Sequence, residues 1–236
     1  MEKQNSGHLD SPVWHALSTT QSALGEGTPL ARRYHPDVAP FAGIENTTLE
    51  AFQALMTLIP QGGFAFVPTL AALPPMEGIH HEHVFSVIQM VDCADALGTD
   101  EDDATIVQLG TTDVPDMMAL AGRTRPGPFG KRTIEMGDYV GIRVDGELIA
   151  MAGERMRFDG YVEISAVCVD ERHRGKSIAR RLMNRLRREI RARGDIPFLH
   201  VKDDNDTAIA LYERMGFVRR QTLVMHRMAH AASVSL

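Results

Sequence analysis

Residues 161–193 constrain the fold more than any other part of the chain, because an apolar strand, a short basic turn and a long amphipathic helix follow one another directly. The strand is predicted at Tyr161–Val169 and the helix at Ile178–Arg193. Apolar residues recur every four positions in the helix, and arginines cover its other faces. Gly194 is well placed to end it. The segment therefore predicts a strand and a surface helix joined by one tight turn.

The turn itself, residues 174–179, is basic and contains a glycine. A turn that opens a helix presents unpaired backbone N–H groups, and the helix dipole favours negative charge at the same end. A phosphate-bearing cofactor is therefore the first hypothesis. An ordinary connection between a strand and a helix is the alternative.

Regular elements are predicted on both sides of this segment. Asp145-Gly146 between two apolar runs is a strong hairpin signal. Asn205-Asp206-Thr207 predicts a helix start, and Gly216 a helix end. The further predicted elements are strands at Tyr139–Val144, Leu148–Arg157, Pro197–Val201 and Phe217 to about Met228, with a short helix at Ala208–Arg214.

Two motifs carry a resemblance to a known family. Residues 174–179 resemble the acyl-CoA-binding signature of the GNAT superfamily of N-acetyltransferases, Gln/Arg-x-x-Gly-x-Gly/Ala, with Ser177 where the pattern prefers glycine. Serine still offers its N–H and a hydroxyl to phosphate, at some cost in backbone freedom. Residues 205–217 resemble the second family motif, Asn…Ala-x-x-Leu-Tyr-x-x-x-Gly-Phe, with Ala208 as the better match for its alanine.

The resemblance covers about half the chain, roughly Thr112 to Met228. Within the superfamily, three segments look most like the branch that includes the C-terminal domain of glycine N-acyltransferases: Pro126–Phe129, Ala150–Arg155 and Pro197–Val201. The implied fold class is α/β (α+β), with a mixed, mostly antiparallel, splayed sheet flanked by helices. A GNAT domain is expected at 112–236, after an extra N-terminal α/β region at 1–111.

The resemblance also implies where acetyl-CoA binds. Acyl-CoA would lie in the splay of the sheet, with its pyrophosphate on the N–H groups of the basic turn and its pantetheine arm on the preceding strand. The implied cofactor-binding residues are Val167, Cys168, Val169, Arg174, Gly175, Lys176, Ser177, Ile178, Ala179, Asn205, Ala208 and Tyr212. Asn205 is equally well explained as a helix cap.

Acetyl transfer to an amine needs a proton acceptor for the amine, a stabilised oxyanion and a proton for the departing thiolate. Glu163 is the predicted base, because a Glu in an apolar strand is costly to bury unless it is paired or functional. Strict alternation places it on one face with Val167 and Val169, opposite Ile164 and Cys168. Desolvation is expected to raise its pKa.

The base is either Glu163 itself or a water molecule that it holds. The alternatives are that Glu163 lies at a sheet edge in water, that it is paired with Arg155, or that Glu154 acts as the base instead. By resemblance, a Glu at the matching place is the base in histone acetyltransferases of the superfamily. Also by resemblance, Tyr212 directs its hydroxyl at the cofactor sulfur and is the predicted acid. A core tyrosine with some other partner is the alternative.

Candidate acceptor-binding residues are Phe129, Arg132, Glu154 and His200. Phe129 and Arg132 belong to a Pro- and Gly-rich segment, residues 124–133, which the resemblance places beside the acceptor; a rigid connector is the alternative. His200 lies in a predicted strand and either lines the acceptor cleft or is a satisfied core histidine. Cys168 is expected to be a small buried residue, and Cys93 likewise.

The run His80-His81-Glu82-His83 suggests a metal, but it lacks the i, i+4 imidazole pair of helical zinc motifs. A structural loop or strand start is favoured, and no metal is predicted.

The chain of 236 residues has a formal net charge of -6, which argues against general nucleic-acid binding. It lacks a secretory signal and a long apolar run. Together with two cysteines, this predicts a cytoplasmic protein without a membrane partner. A homodimer is left open.

The N-terminal half reads as helices followed by strands. Predicted helices begin at Ser11-Pro12, running to about Gly25, and at Thr48, running to Leu58; a further helix follows Asp113 to about Gly122. Predicted strands are Gly63–Val67, His83–Val91 and Ala104–Leu109. This half is either a degenerate copy of the same fold or an addition that shapes the acceptor cleft.

The sequence thus predicts an N-acetyltransferase that moves an acetyl group directly from acetyl-CoA to a primary amine of a small molecule or amino acid. Two alternatives remain open. One is an amino-acid N-acyltransferase that uses longer acyl-CoAs. The other is a non-catalytic protein that binds or senses acyl-CoA.

Overall fold

A computed structural model describes residues 6–95 and 103–231 of the chain. Its helices are α1 (Pro12–Ser18), α2 (Leu49–Leu58), α3 (Val114–Thr124), α4 (Ile178–Ala192) and α5 (Asp206–Arg214). Its strands are β1 (Gly25–Gly27), β2 (Ala31–Tyr34), β3 (Ala42–Ile44), β4 (Ala65–Thr69), β5 (Ile79–Asp92), β6 (Ile106–Leu109), β7 (Tyr139–Val144), β8 (Glu147–Phe158), β9 (Tyr161–Val169), β10 (Ile196–Lys202) and β11 (Phe217–His230). None of the described helices is both long enough and apolar enough to cross a bilayer.

The strands form two sheets. β1, β2 and β3 make a small antiparallel sheet, and the other eight strands form one large sheet in the order β4-β11-β5-β10-β9-β8-β7-β6. Only β9 and β10 run parallel in the large sheet; its remaining neighbours are antiparallel. The predicted mixed, mostly antiparallel sheet flanked by helices is confirmed.

The sheet is splayed between β9 and β10. The two strands pair only at their beginnings, Tyr161–Glu163 with Ile196–Phe198. Beyond this point β10 continues to pair with β5, and β9 with β8. Backbone groups of β9 and β10 that face each other in the splay are therefore not used by the sheet itself.

Helix α4 forms where the apolar period predicts it. Ile178, Leu182, Leu186 and Ile190 are all buried, and they pack on the same face of the sheet as Ile164. Burying a Leu or Ile side chain stabilises a fold by about 1.5–3 kcal/mol. This stripe therefore fixes α4, and with it the turn at its N-terminus, against the sheet. We call this face of the large sheet the α4 face.

A second cluster covers the opposite face, which we call the α1 face. It includes Val13 and Leu17 of α1 together with Phe41, Met156 and Met225. Phe66 and Phe85 are partly buried against this cluster. Much of the α1 face is therefore covered by residues that precede residue 112.

The large sheet runs across the predicted boundary at residue 111. β4 pairs with β11, β5 lies between β10 and β11, and β6 pairs with β7. The three-stranded sheet of β1, β2 and β3 belongs to the N-terminal region alone. The division into regions 1–111 and 112–236 stays a prediction.

Most predicted elements agree with the structure to within a few residues, and the largest differences lie in the N-terminal region. α1 ends at Ser18 instead of about Gly25. The Gln21 side chain is buried and its Nε2 donates to the carbonyls of Met136 and Arg155, so this part of the chain is held by long-range contacts. Strands β2 and β3 were not predicted, and β5 is longer than its apolar pattern indicated.

Candidate active site

A cavity of about 570 Å³ lies in the splay between β9 and β10. Residues of both sheet faces line it, including Leu211 and Tyr212 on the α4 face and Phe41, Met156 and Met225 on the α1 face. The cavity therefore passes through the sheet. Other lining groups come from the segment Thr124–Pro128, from Arg155, from Ile164–Val169 of β9, from Leu199–Lys202 of β10, and from Arg174, Ala179, Asn205 and Ala208.

The basic turn lies at the α4 end of this cavity. Gly175 has a φ of +78° and Ser177 a φ of +56°, so both residues are in left-handed conformations. The side chains from Arg174 to Ser177 are exposed, while Ile178 is buried under the helix start. No described carboxylate pairs with Arg174 or Lys176, which leaves two cations at a helix N-terminus. This combination suits an anion.

Strand β9 carries a bulge beside the cavity. Ala166 has a φ of +52°, and the register with β8 shifts so that Ala166 and Val167 both lie opposite one residue. Because of this extra residue, Ile164 shares the α4-face cluster with Val167, whereas Cys168 packs with Ala166 on the other side. The face assignment predicted from strict alternation is therefore wrong beyond residue 165.

Helix α5 supplies the two polar residues predicted for this wall. Asn205 caps the helix, since its Oδ1 accepts from the Ala208 N–H at 3.2 Å. Tyr212 is half-buried in the cavity wall, with its ring packed edge-on to Phe217 at 6.1 Å. Burial raises the pKa of Tyr212 to about 12. Its hydroxyl therefore stays protonated at neutral pH.

Glu163 lies behind the cavity wall. It is completely buried, and Arg155 contacts it through two hydrogen bonds, one of them from Nε to Oε2 at 2.8 Å. His200 Nδ1 lies 2.7 Å from the other carboxylate oxygen. The predicted rise in pKa is wrong: burial alone would raise the pKa of Glu163, but Arg155 and His200 outweigh it and lower the pKa to about 2. The alternative of a pair with Arg155 is confirmed.

His200 and Arg155 separate Glu163 from the cavity, and both line it. The other ring nitrogen of His200 lies 3.1 Å from Gln89 Nε2. The Gln89 Oε1 accepts from Arg220 and Gln221, so its Nε2 donates to His200 Nε2, and His200 Nδ1–H donates to Glu163.

The other predicted acceptor-binding residues lie outside the cavity wall. Glu154 is buried in an ion pair with Arg193, and burial raises its pKa. Phe129 packs edge-on to Tyr139 at 5.7 Å. Arg132 is partly exposed and paired with Glu135 at 2.7 Å. Only His200 of this group lines the cavity; a role for the other three in acceptor binding stays a prediction.

Cys168 is buried, as predicted, and burial raises the pKa of its thiol. The same prediction is wrong for Cys93, which is exposed.

The run His80–His83 lies in β5, where His226 of β11 packs against the rings of His81 and His83 at 5.8 and 6.4 Å. Within the described residues, no three His, Cys, Asp or Glu side chains are arranged to hold a metal ion.

Several cavity residues gave no signal in the sequence. Pro12, Phe41, Pro68 and Phe85 all line the cavity from the region before residue 112. Alternation along β5 could have assigned an inward face to Phe85. Phe41 lies just before the short strand β3, where the sequence has no periodic pattern. Pro68 and Phe85 reach the site through the long-range pairing of β4 and β5 with β11, and Phe41 is held beside them by its bridge to Phe66 of β4.

Comparison with known proteins identifies the family to which this chain belongs. A model of the Acetyltransferase (GNAT) family matches residues 120–217. A crystal structure of a putative acetyltransferase of the GNAT family from Novosphingobium aromaticivorans is 36% identical, with a TM-score of 0.86, over 95% of this chain and 99% of that one. The chain belongs to the GNAT family.

Other relatives match less of the chain or only its fold. N-alpha-acetyltransferase RimI of Mycobacterium tuberculosis is 40% identical over 84 residues, which are 34% of this chain and 52% of the relative. The alignment with the uncharacterized protein ML0378 of Mycobacterium leprae spans 23% of that relative, at 37% identity. This GNAT chain thus spans about half or less of the curated relatives it matches. A GCN5-related N-acetyltransferase from Kribbella flavida shares the fold over the whole chain at 16% identity, with a TM-score of 0.62.

Proposed function

We propose that this GNAT protein is an N-acetyltransferase that moves an acetyl group directly from acetyl-CoA to a primary amine. One observation carries the proposal: a single cavity joins the anion-binding turn on the α4 face to Arg155 and His200 on the α1 face. Two substrates that enter from opposite faces of the sheet would meet in the splay. No covalent intermediate on the enzyme is then needed.

The residues at the α4 end fit coenzyme A. Its pyrophosphate would accept hydrogen bonds from the N–H groups of residues 174–179, and the side chains of Arg174 and Lys176 would offset its charge. The pantetheine amides would bond to the backbone of Val167, Cys168 and Val169, which the splay leaves available. Asn205 and Ala208 of α5 would complete this side of the channel.

The chemical step balances with the groups present. The amine nitrogen attacks the thioester carbonyl, the C–N bond forms, and the C–S bond breaks to release coenzyme A as a thiolate. Tyr212 is the proton donor to that thiolate in this proposal, because its hydroxyl remains protonated and the residue lines the cavity. A backbone N–H of the β9 bulge at Ala166 would stabilise the oxyanion.

Glu163 does not touch the amine in this proposal. Both ring nitrogens of His200 are already hydrogen-bonded, Nδ1 to Glu163 and Nε2 to the Gln89 amide, so the amine proton passes to a water molecule in the cavity. The Gln89 amide is fixed, because its Nε2 also donates to the Leu9 carbonyl and its Oε1 accepts from Arg220 and Gln221. Glu163 is thus a positioning residue, and His200 is the group that faces the substrate.

The similarity to N-alpha-acetyltransferase RimI of Mycobacterium tuberculosis supports an α-amino group as the acceptor. A second candidate function is transfer of longer acyl groups to amino acids, as predicted for the branch near glycine N-acyltransferases. The apolar wall of Phe41, Met156 and Met225 favours it, because an acyl chain could lie there.

Two measurements on the full chain test the proposal. Calorimetry with coenzyme A and acetyl-CoA should give saturable heat, reduced at least tenfold in affinity by the double substitution Arg174→Gln and Lys176→Gln. Lys131→Gln, at a lysine outside the cavity wall, is the matched control. Release of free thiol with a pool of primary amines should then show turnover.

The outcomes separate the alternatives. Binding without thiol release for any amine would favour a non-catalytic acyl-CoA sensor, and no binding would end the cofactor assignment. Faster release with butyryl- or benzoyl-CoA than with acetyl-CoA would favour the longer-chain acyltransferase.

A further inference from the structure

The cavity wall carries positive charge and no negative charge. Its ionised side chains are Arg125, Arg155, Arg174, Lys202 and Arg214, and no described lining residue is Asp or Glu. An enzyme that selects polyamines or other polycations needs carboxylates to hold the additional ammonium groups. This wall has the opposite sign.

The charges divide between the two ends of the cavity. Arg174 belongs to the anion-binding turn and Arg214 to α5, so both lie with the coenzyme A groups on the α4 face. Arg155 and Lys202 lie on the α1 face, because each is stacked on an aromatic ring there. The Arg155 guanidinium is 5.0 Å from the centre of the Phe41 ring, and Lys202 Nζ is 5.0 Å from that of Phe85.

The same rings form an apolar surface. Phe66 lies between Phe41 and Phe85, at 6.3 Å from each ring. Met156 and Met225 line the cavity beside them. This wall suits an apolar or aromatic group, because aromatic rings and methionine sulfur atoms both make favourable contacts with such a group.

Of the cations on this face, Arg155 is already neutralised by Glu163. Lys202 has no carboxylate partner among the described residues, and neither has Arg125, which follows α3 and also lines the cavity. Lys202 is exposed at the end of β10, so its ammonium group is available to a ligand. An uncompensated cation beside an apolar wall matches a molecule that has an anionic group and an apolar group.

We infer that the acceptor is a free α-amino acid with an apolar, preferably aromatic, side chain. Its carboxylate would pair with Lys202, assisted by Arg125, and its side chain would pack on Phe41, Phe85 and Met225. This inference rests on the proposed N-acetyltransferase function. The positive wall also disfavours the ammonium form of the substrate, and so favours the neutral amine that attacks the thioester.

Three amines with a common benzyl group test whether the enzyme recognises the carboxylate of its acceptor. Phenylalanine, phenylalaninamide and phenethylamine are compared at saturating acetyl-CoA by thiol release, and kcat/KM is determined for each. Phenylalanine should exceed the other two by about tenfold or more, as a charge-assisted hydrogen bond implies. Glycine, which keeps the carboxylate but lacks the side chain, should also be at least tenfold slower than phenylalanine.

Variants locate the two contacts. Lys202→Gln should reduce the preference for phenylalanine over its amide to less than threefold, with coenzyme A affinity unchanged. Arg219→Gln, at an exposed arginine of β11 outside the cavity wall, should leave the preference intact. Phe41→Leu should lower the preference for phenylalanine over glycine. Melting temperatures of all variants show whether each is folded.

Each contrary result has a distinct meaning. Equal or faster reaction of phenylalaninamide would overturn the inference and favour the N-terminus of a polypeptide, while leaving the N-acetyltransferase proposal intact. A preference for spermidine would overturn it as well. If Phe41→Leu changed the selectivity for acyl chain length instead of the amine, the apolar wall would hold the acyl group. Absence of thiol release with every amine would overturn both the inference and the proposed function.

Discussion

Arg155 lines the cavity and holds the carboxylate of Glu163 behind the cavity wall, with Nε donating to Oε2 at 2.8 Å and Nη2 bonded to Oε1. Glu163 is fully buried, and the Arg155 side chain is only 12% exposed. His200 Nδ1 contacts the same carboxylate at 2.7 Å. The pair therefore keeps a negative charge next to the histidine that faces the acceptor, and it does so without placing that charge in the wall.

This pair predicts a specific loss of stability in acid. The pKa of Glu163 is lowered from an ordinary 4.5 to about 2 in the folded protein. The folded state therefore gains stability at pH values above about 4.5 and loses that gain as the pH falls toward 2. A shift of this size corresponds to about 3 kcal/mol. Urea unfolding from pH 7 to pH 2 measures it.

Comparison with Glu163→Gln isolates this carboxylate. At pH 7 the substitution leaves Arg155 buried without its partner and should lower the free energy of unfolding by about 3–5 kcal/mol. The gap to the wild type should narrow as the pH falls from about 4.5 toward 2, because the Glu163 carboxyl of the unfolded wild type is protonated in this range while that of the folded protein is not. Glu135→Gln removes a half-exposed carboxylate of another pair and should cost at most about 1 kcal/mol. A gap that is constant with pH would contradict the assignment.

Tyr212→Phe tests the proton donor. We expect kcat to fall by about 10²–10⁴-fold, the usual contribution of a positioned acid, with little change in acetyl-CoA affinity. Calorimetry and thiol release on the same preparation measure the two quantities. Tyr161→Phe is a matched control, because Tyr161 is a buried core tyrosine away from the cavity wall. An unchanged kcat would remove Tyr212 from the chemical step.

The C-terminal half could be predicted from the sequence because its signals are local. Asp145 and Gly146 have φ values of +51° and +84°, as the predicted tight hairpin requires. The four-residue apolar period of α4 and the Asn205 cap of α5 depend only on neighbours in the chain. Such signals fix the position of the basic turn between β9 and α4.

The chemistry of the site could not be predicted in the same way, because it depends on contacts between distant segments. The low pKa of Glu163 results from Arg155 and His200, which approach it from two neighbouring strands. The bulge at Ala166 changes which side chains share a face of β9, and no residue type near this position indicates a bulge. Phe41 reaches the cavity from more than a hundred residues away.

The left-handed backbone conformation of Ser177 predicts that replacing this residue with glycine stabilises the protein. Its φ of +56° places a residue with a Cβ in the left-handed region just before α4. This conformation costs a residue other than glycine about 1–2 kcal/mol, partly offset in a Gly variant by the greater freedom of the unfolded chain. Ser177→Gly should therefore raise the free energy of unfolding by up to about 1 kcal/mol, whereas Ser177→Ala should not.

Coenzyme A affinity of the same two variants separates the backbone from the hydroxyl. If the backbone N–H binds phosphate, Ser177→Gly should bind coenzyme A within threefold of the wild type. A tenfold loss in both Ser177→Gly and Ser177→Ala would instead show that the hydroxyl contributes a bond. Destabilisation by Ser177→Gly would contradict the strain argument.

The buried ion pairs of Asp92 predict that β5 and α4 stabilise each other strongly. Its carboxylate is fully buried and accepts from Arg187 Nε at 2.8 Å and from Arg187 Nη2 at 2.6 Å, while Arg191 Nη2 lies 2.8 Å from it. Asp92→Asn leaves a buried arginine without its anion, so we expect a loss of about 3–5 kcal/mol in urea unfolding. Glu213→Gln, in an exposed pair with Arg219, should cost under about 1 kcal/mol.

A double-mutant cycle with Arg187→Met completes this test. Removing both charges should recover at least about half of the loss caused by Asp92→Asn, because only Arg191, which is partly exposed to solvent, then lacks its carboxylate. Since Asp92 precedes residue 112 and Arg187 follows it, a single shifted transition in Asp92→Asn is expected if the two regions unfold together. Two separate transitions, with only the first shifted, would instead mean that residues 1–111 unfold on their own.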